Sequence, residues 1–201
     1  VRPRRTDLSR RSLLRAGAVA GGSVAAFGAI EGIVRATGLP GADRRATGSY
    51  ERGSFAPAAM PVTQWLDDAD PGIDADGWRL EVLTPDGTRP FTYDEIQVYD
   101  DRVRATLDCT GGWFATQDWS GVRLDRLLQG VEDARSVVVT SATGYARRFP
   151  IDDANSCGLA TRLGGEPLAS GHGFPARLVA PGRRGFWWVK WVERIEASST
   201  P

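Results

Sequence analysis

One histidine and one lysine occur in the chain, His172 and Lys190, and both fall in the segment SGHGFPARLVAPGRRGFWWVKW, from Ser170 to Trp191. Arginine supplies every other basic side chain. A neutral imidazole both donates and accepts hydrogen bonds, and an ammonium is a compact charge on a flexible stem; a guanidinium reproduces neither. Cys109 stands apart, at the end of the alternating stretch DRVRATLDC and before Thr110-Gly111-Gly112, where the backbone is free to approach a ligand closely. On its own residue type Cys109 also reads as a small buried core residue, or as a disulfide partner for Cys157.

The composition limits what these groups can build. Twenty-five basic residues balance 25 acidic ones, so net charge offers no reason to expect nucleic acid as a partner. One His and two Cys cannot complete a four-ligand zinc site of cysteine and histidine, nor a four-cysteine iron–sulfur cluster. The lysine is followed by Trp191, which excludes a P-loop, and no Gly-x-Ser-x-Gly elbow occurs. Gly171–Ala176 fits the dinucleotide pattern GxGxxA, but it contains Pro175 and leads into strand-like Arg177-Leu178-Val179 where that motif needs a helix.

The elements that must position the groups begin after an address. Arg10-Arg11 precedes a run of small and apolar residues with no acid until Glu31. This pattern resembles a twin-arginine export signal, so residues 1–36 are expected to act as a signal or membrane anchor and to place the protein outside the cytoplasmic membrane. Residues 37–56, rich in Gly, Ala, Ser and Arg, read as linker, and 57–198 as the folded domain. Within that domain Trp78–Leu83 alternates as a strand, Pro85-Asp86-Gly87 is a turn, and Thr92 begins a short helix. DRVRATLDC is a strand delivering Cys109, and VRLDRLLQGV has helical spacing at Val122, Leu124, Leu127 and Leu128. RSVVVTSATGYARRFP gives strand, turn and strand; ARLVAP and FWWVKWVERIEA read as strands. The expected class is α+β, dominated by sheet.

Four stretches in this order, ATLDCTGGWF, WSGVRLDRLL, GYARRFP and GEPLASGHGFPARLVAPGRRGFWWVKWVERIE, resemble the catalytic domain of the sulfite oxidase family, which includes bacterial methionine-sulfoxide reductase catalytic subunits. The resemblance implies the family's molybdopterin-binding fold and a mononuclear molybdenum with a single pterin. By motif, Cys109 matches the cysteine whose thiolate binds the metal, in keeping with the affinity of soft sulfur for such metals. His172 and Arg177 match a His-Gly-x-Pro-x-Arg pattern that holds the pterin and its phosphate. Trp188, Val189 and Lys190 match a turn that also meets the cofactor. Tyr145 falls where the oxidases carry a tyrosine beside the reacting oxygen atoms, and Thr143 lies just before it. Arg147 and Arg148, adjacent in a strand, point to opposite faces, so at most one faces an anionic substrate.

Departures bear on the substrate. Sulfite oxidases follow the cysteine with Ala-Gly-Asn-Arg; here Thr110-Gly111-Gly112-Trp113-Phe114 carries no positive charge. Ala58–Thr63 likewise lacks the Arg and His of the family's corresponding segment. The expectation is a less charged, more aromatic pocket, with Trp113 or Phe114 on its wall. Two-electron oxygen-atom transfer on a small substrate, served by a separate cytochrome or quinone-linked membrane subunit, is the implied activity. The competing reading is a domain that kept the fold and binds without turnover.

Overall fold

A computed structural model describes residues 9–38, 42–64, 68–131 and 133–200. The first eight residues of the expected leader and positions 39–41 of the expected linker lie outside the described residues. The chain groups into two units, Val1–Arg44 and Arg45–Pro201.

In the first unit, α1 (Arg10–Thr37) is a continuous helix of 28 residues. Ser9 caps it by accepting the N–H of Ser12, and Gly38, with φ of 61°, closes it in a left-handed cap. Its apolar positions do not gather on one face, and none of its residues is buried. At roughly 1.5 Å per residue it is long enough to cross a bilayer. Its best window has a mean hydropathy of 1.5, which a membrane span and a signal sequence share.

The second unit is built from strands: β1 (Tyr50–Glu51), β2 (Arg79–Thr84), β3 (Gly87–Thr92), β4 (Asp101–Asp108), β5 (Trp113–Arg123) and β6 (Ser136–Ser141). They continue as β7 (Ala146–Pro150), β8 (Gly158–Leu163), β9 (Glu166–Pro167), β10 (Arg177–Val179) and β11 (Val192–Ser198). Short helices α2 (Tyr93–Gln97) and α3 (Leu124–Leu127) join them. One sheet runs β1-β5-β8-β10, with β4 on β5 and β9 on β8; the other runs β3-β2-β11-β6-β7. Alternation explains the strands: in β2, Leu80 and Val82 are fully buried while Arg79 and Glu81 face out. Each such aliphatic contributes about 1.5–3 kcal/mol by leaving water. Trp119, Phe149, Leu159, Leu178 and Ile195 fill the core with them. The fold is the sheet-rich α+β class expected.

Four local expectations are corrected. Between the Pro85-Asp86 turn and α2 the chain forms β3, and Pro90 is tolerated because β3 is an edge strand. Val122 belongs to β5, not to a helix; Trp113, Ala115, Gln117 and Trp119 alternate inward with period two, and only Leu124–Leu127 turn helically. In FWWVKWVERIEA the strand starts at Val192, after a 3-10 turn at Gly185–Trp187 and a left-handed Trp191 with φ of 51°. Part of the stretch read as linker folds with the domain: Tyr50 and Glu51 pair in parallel with Trp113 and Phe114.

The strand that carries the turn after Cys109, β5, depends on a close crossing with β8. A Cβ on Gly121 would lie 2.1 Å from Leu159 O and 2.8 Å from Ala160 Cα, both backbone atoms. Gly121→Ala is therefore expected to lower the unfolding free energy by about 1–3 kcal/mol. Urea titration should show a lower midpoint with an unchanged slope.

Candidate cofactor site

Cys109 follows β4 directly, in the tight turn that leads into β5. Its amide donates to Trp113 O at 2.8 Å, its carbonyl accepts from Gly112 N at 3.2 Å, and Gly111 N–H points at its Sγ from 3.3 Å. Cys109 and Cys157 are both free, so the disulfide does not form in this structure. Burial pushes the Cys157 thiol up to about 11, which keeps it protonated and inert.

The cationic side comes from the segment that holds the lone histidine and lysine. Ser170–His172 makes a 3-10 turn, and Gly173 follows with φ of 109°. A side chain there would press on Arg177 Cβ at 3.1 Å and Lys190 Cα at 3.2 Å, so glycine permits the three groups to converge. His172 Nε2 lies 3.1 Å from Met60 O; a carbonyl only accepts, so Nε2 carries the proton and Nδ1 is left as an acceptor. Burial lowers the pKa of His172, with Arg177 and Lys190 adding to the effect, and the ring is neutral.

Arg177 is 4% exposed. Its Nη1 donates to His172 O at 2.9 Å, while Nε has no hydrogen-bond partner among the described residues. Burial lowers its pKa to about 10, opposed only by Cys109. Lys190 Nζ donates to Thr63 O at 2.9 Å. Burial, then Arg177, lowers its pKa to about 8 against the pull of Asp68, Cys109 and Asp70. Neither cation forms a close ion pair with a carboxylate among the described residues.

One cleft gathers Cys109, Tyr145, His172, Arg177, Trp188 and Lys190. It does not gather Thr143, which is exposed in the turn after β6, nor Val189, whose side chain is buried in the core while its carbonyl accepts from Leu178 N. Trp113 lines the cleft; Phe114 instead lies under the Arg45 guanidinium, 5.6 Å from ring centre to charge. The Tyr145 hydroxyl donates to Phe186 O at 2.5 Å, so its proton is directed at a backbone carbonyl. Arg147 shares that carbonyl and Arg148 bonds Ser136 on the other face. The sequence reading did not single out Asp68 or Phe186, which also line the cleft. Neither has a local signal: contacts across the fold bring them in.

No group of three His, Cys, Asp or Glu able to hold a metal occurs among the described residues. A site that offers a metal one protein thiolate needs none. The fit to an anionic cofactor rests instead on the uncompensated cations and the orphaned Arg177 Nε.

The fold and cleft define a class: a sheet-rich α+β domain with a thiol, a buried guanidinium and a half-buried ammonium around one cleft. Residues 68–201 match the family described as the oxidoreductase molybdopterin binding domain, and the chain belongs to that family, within the sulfite oxidase and nitrate reductase superfamily. Mitochondrial sulfite oxidase of Rattus norvegicus is 28% identical over 166 residues, covering 64% of this chain and 30% of that protein. The NAD(P)H nitrate reductase of Hordeum vulgare is 36% identical over 167 residues, 63% of this chain and 19% of that protein. An uncharacterized oxidoreductase of Bacillus subtilis, YuiH, is 30% identical over 128 residues, 59% of this chain and 64% of that protein. The chain thus matches under two thirds of the length of each. The sulfane dehydrogenase SoxCD of Paracoccus pantotrophus superposes with a TM-score of 0.62 at 23% identity, covering 66% of this chain and 41% of that one, and shows the shared fold.

The lowered Lys190 pKa has a stability consequence with a definite sign. Between about 8 and the ordinary 10.5, the unfolded chain holds a proton that the folded chain has released. Stability of the cofactor-free protein therefore gains from Lys190 as pH rises through that window, and loses that gain as pH falls through about 8. Melting temperatures of the wild type and Lys190→Met should converge as pH rises from 8 to 10.5, the variant being the more stable at pH 7. Parallel curves would show that Lys190 is not the group responsible.

Proposed function

We propose that the chain is a molybdenum–pterin oxidoreductase that performs two-electron oxygen-atom transfer on a small, uncharged, sulfur-centred substrate. One observation carries this reading: a thiol with a backbone N–H donor shares a cleft with a buried guanidinium and a half-buried ammonium, neither in a close ion pair with a carboxylate among the described residues. A buried guanidinium without an anion costs several kcal/mol, so the cleft is suited to a ligand bearing phosphate. In this reading Cys109 ligates the metal through its thiolate. Arg177 and Lys190 neutralise the phosphate, and neutral His172 presents Nδ1 as an acceptor to the heterocycle. When bound, the group supplies the redox chemistry of oxygen transfer; the protein orients it and excludes competing reactions.

The substrate class follows from what remains. With Arg177 and Lys190 committed to the cofactor, the cleft near Cys109 offers Thr110, Trp113, Gln64, Asp68 and Phe186, none of them cationic. Arg184, the nearest further guanidinium, faces Asp108, and Arg147 bonds Phe186 O. An oxyanion would enter without a counter-charge, whereas a neutral sulfoxide-like group would pack on the indole of Trp113. Sulfite oxidases among the similar proteins support sulfur as the reacting atom. Electrons pass to or from a separate cytochrome or quinone-linked membrane partner. The helix α1, with Arg10-Arg11 at its start and enough apolar length to span, supports export or anchoring at the outer face of the cytoplasmic membrane.

Protein produced in a molybdenum-replete host should carry close to one metal per chain, and Cys109→Ser should carry almost none. A wild type without metal, its Cys109 freely alkylated, would leave the binding domain without turnover as the better reading. In the loaded enzyme, sulfoxide reduction with an artificial electron donor should exceed sulfite oxidation with an artificial acceptor by at least about tenfold, near 1.4 kcal/mol in barrier. The opposite ratio would overturn the uncharged substrate. Replacing Arg10 and Arg11 together by Lys should abolish export in a fractionation assay.

A further inference from the structure

Asp108, the residue immediately before Cys109, is a carboxylate only 4% exposed in a position where a strand needs no charge. Its surroundings are built to hold it. Ser49 Oγ donates to Oδ1 at 2.7 Å and Thr47 Oγ1 to Oδ2 at 2.8 Å. Arg45 Nε sits 3.1 Å from Oδ2, and Arg184 Nε 3.7 Å from Oδ1. Two hydroxyls and two guanidinium groups therefore converge on one side chain.

Three of these partners come from a single tight turn. Arg45 N bonds Ser49 O and Gly48 N bonds Arg45 O, both at 2.9 Å, which folds residues 45–49 back on themselves. The next residue, Tyr50, donates its amide to Gly112 O at 3.1 Å. The 45–50 segment thus grips the Cys109–Gly112 turn at both ends, through Asp108 before it and Gly112 after it. From the other side, Arg184 Nη2 approaches Cys109 O at 3.4 Å. Gly185 leaves no slack there: a Cβ on it would lie 3.1 Å from Cys109 Cα.

We propose that Thr47, Ser49 and Arg45 are positioning residues that act through Asp108 to fix where the Cys109 thiolate points. The proposal rests on the reading of Cys109 as the metal ligand. Residues 45–50 lie outside the 68–201 stretch that matches the family, so the brace is a feature of this chain's own N-terminal segment. Replacing the carboxylate alone would strand its hydroxyl and guanidinium partners whatever its role, so a loss of stability does not by itself identify a positioning residue. A carboxylate that holds a turn in register transmits the loss of any one donor directly to the adjacent cysteine.

The test compares wild type, Thr47→Val with Ser49→Ala, and Asp108→Asn, with Ser49→Thr as the conservative variant, each as the full chain. In protein from a cofactor-deficient host, iodoacetamide labelling of Cys109 is read against Cys157, which is buried elsewhere and reports general opening. The hydroxyl-deleted variant should label faster at Cys109 by about tenfold, the shift expected from losing a hydrogen bond to a charged group. Labelling at Cys157 should be unchanged, and Ser49→Thr should behave as wild type. In protein from a molybdenum-replete host, the thiolate-to-metal absorption band should shift in the same variant and stay at the wild-type position in Ser49→Thr. Equal acceleration at both cysteines would reduce the network to general stability and overturn the proposal, as would an unaltered Cys109 rate and band. If Asp108→Asn does not fold, the hydroxyl-deleted variant decides. A wild type that binds no molybdenum sinks the ligand reading instead, and the labelling contrast alone then decides the brace.

Discussion

Two like charges share the cleft of this domain, and neither forms a close ion pair with a carboxylate among the described residues. Arg177 is buried and Lys190 half-buried, and Arg177 adds to the burial that lowers the readiness of Lys190 to be charged. Indole faces soften the cost: the Arg177 guanidinium lies 5.7 Å from Trp119 and 5.9 Å from Trp188, and Lys190 Nζ 5.0 Å from Trp191. Cation–π contacts contribute about 0.5–2 kcal/mol each, against several kcal/mol for desolvating each ion. The balance for the buried Arg177, whose Nε has no hydrogen-bond partner among the described residues, suits an anionic ligand. Much of the local construction serves this: the left-handed Gly173, the His172 carbonyl that restrains Arg177, and the Thr63 carbonyl that restrains Lys190.

The two cysteines meet different surroundings within one chain. Cys157 lies against apolar surroundings that drive its thiol up to about 11. Cys109 receives the Gly111 N–H and faces the cleft that holds Arg177 and Lys190. Both are free and buried, so neither exposure nor redox state separates them. The difference lies in the charges and dipoles each side chain meets.

What could be read from the sequence was whatever is written locally. The alternation in Val103, Ala105 and Leu107 identifies β4, and residue types so rare that they occur once marked His172 and Lys190. Strand β5 was misread because Val122, Leu124, Leu127 and Leu128 satisfy a helical spacing across what is a strand end and a single turn. Strand β3 was missed because Pro90 argues against a strand unless the strand is known to be at an edge, and edges are tertiary facts. The same limit applies at the site. Cys109, His172, Arg177 and Lys190 line one cleft; Thr143, expected from its place before Tyr145, is exposed in a turn, and Val189, expected through the backbone of its turn, has its side chain in the core. Asp108 gave no sign of burial: its partners at 45–49 stand about sixty residues away in a stretch that composition marks as linker.

These features together divide the cleft by charge. The cations belong to the elements around β10 and the approach to β11, while the thiol and its glycine turn belong to the hairpin of β4 and β5. Two further guanidinium groups, Arg45 and Arg184, lie beside Asp108, the residue before the thiol. That carboxylate ties the start of the cysteine's turn to residues 45–49, while the cleft beside the thiol is lined by Trp113 and Phe186.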